Sequence, residues 1–130
     1  FREADEEGVL IMCNGVDNAQ VIYYDTPTPD TLLIRDLVAN DGQDPPNVID
    51  SNFIGCEVFK GRAYYWYDDD DSFYYANAGA YQGELTRFPL GAFVQKGGKL
   101  SMIATWTQQD SGDGKDDYIV FMFSTEEILI

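Results

Sequence analysis

The residues with the most chemistry to offer are acids. Asp110, Asp113, Asp116 and Asp117 fall in one glycine-containing stretch, QQDSGDGKDD. Carboxylates crowded on a bending backbone are the donors that calcium prefers, taken as about six to eight oxygens round one ion. The spacing is not that of the EF-hand loop, with its glycine at the sixth position and glutamate at the twelfth. The competing reading is a solvated connection, where glycines bend the chain and acids keep a sheet edge soluble. A second run, Asp68–Asp71, is a poorer cation site, because consecutive strand residues point to alternate faces and do not converge.

Aromatic residues are the other candidates. Tyr65, Trp66, Tyr67, Tyr74 and Tyr81 lie among further tyrosines and phenylalanines. Flat rings beside carboxylates suit a sugar, which stacks its apolar face and donates from its hydroxyls. A sheet that uses aromatics as core on one face and as cross-strand pairs on the other explains the same pattern. Paired carboxylates could hydrolyse a glycoside, but twenty-three acids single out no pair. The chain has no histidine, which excludes a Ser-His-Asp triad, a Cys-His dyad and any imidazole-dependent metal site. The Gly97-Gly98 pair lacks the strand–helix context of a phosphate loop and reads as a turn. The expectation is a protein that is not an enzyme and carries no cofactor, calcium excepted. Cys13 and Cys56 each sit in an apolar stretch and read as buried free thiols, with a disulfide as the alternative in a secreted protein.

Elements must position these groups, and 130 residues provide one domain or a large piece of one. Hydrophobic residues make up 45% of the chain and aromatics 15%, enough for a packed core. The net charge of −15 repels phosphate, so electrostatic capture of nucleic acid is not expected. No apolar run approaches the roughly 20 residues of a membrane-spanning helix. Gly8–Cys13 and Ala19–Tyr24 are β-rich runs around an Asn-Gly hairpin signal. Thr28-Pro29-Asp30 reads as a helix start, predicting a short helix near Thr31–Val38, although TLLI also suits a strand. Strands follow over Phe53–Phe59 and Arg62–Tyr67 around Lys60-Gly61, then Ser72–Ala76, Leu100–Thr107 and Tyr118–Phe123. Gln108–Asp117 reads as a loop. The fold class is all-β: antiparallel hairpins arranged as β-propeller blades or a β-sandwich, with at most one short helix. Acidic turns recur at intervals close to the roughly 40–50 residues of a four-stranded blade. The polar start at Phe1 and the apolar end at Ile128–Ile130 suggest a piece of a longer chain. The terminal triplet is expected to pair as a strand.

The wording of several segments goes further. Gly8–Asp17, GVLIMCNGVD, resembles a phrase of the packaged-DNA stabilisation or head-to-tail hub (stopper) proteins of tailed bacteriophages. Lys60–Trp66, Asn77–Gly83, Leu85–Leu90, Val94–Lys99, Ala104–Asp117 and Tyr118–Ile130 continue that resemblance in the same order. The Thr28–Asn40 segment departs from the pattern. The resemblance implies a propeller-like protomer of a homo-oligomeric ring below the portal. Its partners there are portal or adaptor and tail proteins, and it makes no sequence-specific nucleic-acid or membrane contact. Assembly in a bacterial cytoplasm would leave both cysteines reduced before the subunit enters the virion. No catalytic residues transfer, because that family is structural. The alternative is a secreted carbohydrate-binding module or adhesin of β-sandwich type.

Overall fold

A computed structural model of the chain describes residues 6–25, 31–39, 42–43, 47–110 and 114–130. The all-β expectation holds. Three antiparallel meanders follow one another along the chain. The first contains β1 (Glu6–Met12), β2 (Gln20–Asp25) and β3 (Leu32–Asp36). The central sheet contains β4 (Gly55–Phe59), β5 (Arg62–Trp66), β6 (Ser72–Tyr75) and β7 (Thr86–Pro89). The third contains β8 (Leu100–Asp110), β9 (Gly114–Phe123) and β10 (Ile128–Leu129).

The sheets meet face to face, with the central one in the middle. Their nearest approaches run through leading strands, β1 against β4 and β4 with β5 against β8. Backbone hydrogen bonds tie the corners: Gly15 N–H donates to Phe53 C=O at 2.9 Å, and Leu100 N–H to Asp70 C=O at 2.7 Å. Two cores result. Ala19, Val21, Leu37, Phe53, Ala63, Tyr65 and Tyr81 fill the gap between the first and central sheets. Trp66, Phe73, Leu90, Leu100, Ile103, Phe121 and Phe123 fill the gap between the central and third. Strand β5 shows the cause. Its residues alternate, so Ala63 and Tyr65 enter one core while Tyr64 and Trp66 enter the other. Apolar residues at both parities are what a strand covered on both faces requires.

Turn chemistry fixes the register of the central sheet. Lys60 and Gly61 have φ of 49° and 72°, the two left-handed residues of a type I′ turn, and Phe59 pairs directly with Arg62. The Asn14-Gly15 hairpin is looser than a two-residue turn. The Asn14 side chain accepts from the N–H groups of Val16 and Asp17 at 2.9 and 2.8 Å, closing an Asx-type turn inside a longer loop.

Two expectations need correction. The helix near Thr31–Val38 is strand β3, paired with β2 from Gln20↔Asp36 to Tyr24↔Leu32. Pairing along an apolar neighbour satisfies the backbone groups that face β2 and overrides a weak local helix signal. The helix among the described residues is instead a 3-10 turn at Gly91–Phe93. The Gln108–Asp117 loop is mostly ladder, since β8 reaches Asp110 and β9 starts at Gly114. The terminal triplet pairs through two of its residues, with Ile130 outside the strand. Ile128 lies opposite Met122 and Leu129 opposite Phe121, though Ile128 and Ile130 stay exposed.

Candidate functional site

The aromatic candidates are core. Tyr65 and Tyr81 are wholly buried and Trp66 nearly so. The Tyr65 hydroxyl donates to the Tyr81 carbonyl, so its polar end is satisfied inside the core. Phe53 stacks on Tyr65 at 4.8 Å and lies 4.7 Å from Tyr67, whose hydroxyl donates to Ser51 Oγ at 2.8 Å. Tyr74 meets Tyr67 edge-on at 5.1 Å. Burial pushes the Tyr74 phenol up, the Asp70 and Tyr67 charges add to that, and Arg87 opposes them. Tyr65, Tyr67, Tyr74 and Tyr81 thus pack in one core and Trp66 in the other. A flat, solvent-facing platform of these five rings is not formed, because the pleat divides neighbours between faces.

The acidic candidates also resolve into local roles. Asp113 lies outside the described residues. Asp110, Asp116 and Asp117 are strand positions paired with Gly114, Gln108 and Thr107. An extended ladder is not the tight loop that wraps oxygens round a cation. The Asp117 carboxylate accepts from Thr107 Oγ1 at 2.8 Å. No group of three or more Asp, Glu, Cys or His side chains is placed to hold a metal among the described residues. The Asp68–Asp71 run is a corner. Asp69 has φ of 60°, Asp70 Oδ1 accepts from the Ser72 N–H at 3.1 Å, and the Asp71 carbonyl accepts from Leu90 N–H at 3.2 Å.

What the structure brings together lies elsewhere, on the outer faces of the two end sheets. On the first sheet Leu10, Ile22 and Ile34 stand in one cross-strand row, with Tyr24 beside Leu32 in a second. Leu10 and Ile34 are each 61% exposed and Leu32 59%. On the third sheet Met102, Met122 and Ile128 form one row, and Trp106 pairs with Tyr118. Trp106 is 51% exposed, its ring 5.9 Å from that of Tyr118. These rows point away from the two cores, since the alternate residues Val9, Ile11 and Tyr23, or Ile103, Ile119 and Phe121, face inward. Contiguous exposed apolar rows of this kind mark contact surfaces. Reading the sequence residue by residue missed them. The available signal was apolar residues at both parities in LIM, LLI and YIVFMF.

A last apolar feature is a groove at the sheet edges, lined by Phe88, Leu90, Phe93, Phe121, Leu129 and Ile130. Among the described residues no helix is long and apolar enough to cross a membrane. No family model, curated protein or solved structure matches the chain.

Proposed function

We propose that this protein is a structural subunit that acts through protein–protein contacts, stacking its end sheets against further sheets of the same construction. One observation carries the reading. Among the described residues the central sheet packs against a sheet on each face, while each end sheet packs on one face and leaves Leu10, Leu32 and Ile34, or Met102, Trp106 and Ile128, exposed on the other. The three meanders then read as successive propeller blades, with leading strands toward a common axis. The occupant of each outer face is a second copy, because the outer face of a third sheet against that of a first sheet repeats the stacking already present twice inside the chain. Such contacts are heterologous and close into a ring when the rotation per copy permits.

The ring and the sequence resemblance together support a role at the head-to-tail junction of a tailed-phage virion, around the DNA exit channel. The net charge of −15 suits a surface past which DNA moves without sticking, because like charge prevents capture. The test is sedimentation velocity across a concentration series. Concentration-dependent association that is lost in both Ile34→Lys and Met102→Lys is the expected result. A monomer at every concentration would overturn it.

The secreted carbohydrate-binding alternative keeps one specific observation, the half-exposed Trp106 with Tyr118. Saturable quenching of tryptophan fluorescence by oligosaccharides, lost in Trp106→Ala, would favour it.

A further inference from the structure

Cys13, one residue beyond β1, and Cys56, on β4, come from different sheets and pack against the same core cluster. The Cys56 sulfur lies 3.8 Å from the carbonyl oxygen of Ile11, two residues before Cys13, so it is pressed against the first sheet. Both thiols are free and half-buried. Each also lines its own surface depression. Cys13 does so with Met12, Asn14 and Asp17, and Cys56 with Val9, Ile11 and Glu57. We propose that Cys13 and Cys56 are a site of reversible oxidation, a dithiol that closes to a disulfide and covalently joins the first sheet to the central sheet.

The two sulfurs are not equivalent. Its side-chain interaction with Cys13 holds the Cys56 thiol below its ordinary range, against the opposing effects of burial and the Glu57 charge. The same interaction, with burial, holds Cys13 up. Cys56 is therefore the more readily ionised of the two and the first to attack, and Cys13 is the resolving thiol. The oxidant is a small-molecule disulfide of the glutathione class. The Cys56 thiolate attacks one of its sulfurs, forms a mixed disulfide and expels one thiolate. Cys13 then loses its proton and attacks the Cys56 sulfur, expelling the second thiolate. Two protein thiols give up two electrons and two protons, and one external disulfide becomes two thiols. The pair is open in a reducing compartment and closed in an oxidising one. Closure clamps one sheet–sheet interface and leaves the other free.

The experiment uses the wild-type chain equilibrated in reducing and oxidising glutathione buffers, then acid-quenched, alkylated and mapped by mass spectrometry. The oxidised sample is expected to lose two hydrogens and yield one Cys13–Cys56 peptide, with a Tm raised by on the order of 10 °C. Two alkylated thiols, glutathione retained on both cysteines, or cysteine-linked dimers would each overturn the proposal. In Cys13→Ser, glutathione is expected to stay trapped on Cys56, and in Cys56→Ser, Cys13 is expected to react at least about tenfold more slowly. Equal rates in the two variants would overturn the assignment of Cys56 as the attacking sulfur. The mapping requires no association between copies, so it stands or falls apart from the stacking reading.

Discussion

The central sheet and the two end sheets are built from the same alternating strands, yet their side chains have different fates. In β5 both parities are used up: Tyr65 is buried toward the first sheet and Trp66 toward the third. In β2 and β8 one parity faces a core, through Val21 and Tyr23 or Ile103, while Tyr24, or Met102 and Trp106, face out. Residue type does not separate these groups, and position in the stack does. A side chain flanked by two sheets is committed to stability. The same kind of side chain on an end face is available for recognition.

That contrast breaks most visibly at Tyr65. Tyr65→Ala removes a wholly buried ring together with its hydrogen bond to the Tyr81 carbonyl. A loss of about 3–5 kcal/mol is expected, measured by urea unfolding, which is large against a domain's roughly 5–15 kcal/mol. A loss below about 1 kcal/mol would mean that the first core is loosely packed.

Gly55 probes the other face of the same sheet. A Cβ there would meet the Trp66 ring at 2.1 Å, and the two residues are direct cross-strand partners. Gly55→Ala is expected to cost about 1–3 kcal/mol, because the indole must leave its place in the second core. Near-UV circular dichroism should register the displaced tryptophan.

On the end faces the expectation reverses. Ile34→Thr and Met102→Gln should each change unfolding free energy by no more than about 0.5 kcal/mol, since both side chains are largely in water. A loss of several kcal/mol in the isolated monomer would show that these faces are covered within the chain and would erase the comparison.

The smallest effect is at the edge of the third sheet. The Glu127 carboxylate accepts from the N–H groups of Gln95 and Lys96 at 2.9–3.1 Å, and these bonds hold its pKa below the ordinary carboxylate range. A depressed folded-state pKa stabilises above the unfolded value, and that stabilisation is lost as pH falls through the folded one. Glu127→Gln should therefore be slightly less stable than wild type near neutrality and converge with it in acid. A gap that persists unchanged to low pH would assign the effect to the side chain's shape instead of its charge.

Much of this architecture was legible in the residues. Lys60-Gly61 specifies its hairpin because few other pairs sit at left-handed φ twice in succession. Short β-rich apolar runs at Arg62–Trp66 and Tyr118–Phe123 read as strands, and apolar residues at both parities suit strands covered on both faces. The tertiary structure alone decided the rest. Whether Leu32–Asp36 became helix or strand depended on a partner, β2, which no local propensity encodes. The face each aromatic takes depends on which sheet lies on which side, so Tyr65 and Trp66 read as one binding platform until the stack assigned them to separate cores. The acids of Gln108–Asp117 looked like a cation loop until the β8–β9 ladder extended through most of them. Cys13 and Cys56 are far apart along the chain, and only the packing of β1 against β4 makes them neighbours. Periodicity is a local property of the backbone and can be read from a line of residues. Contact between distant strands is set by the packing of whole sheets, and that exists only once the chain has folded.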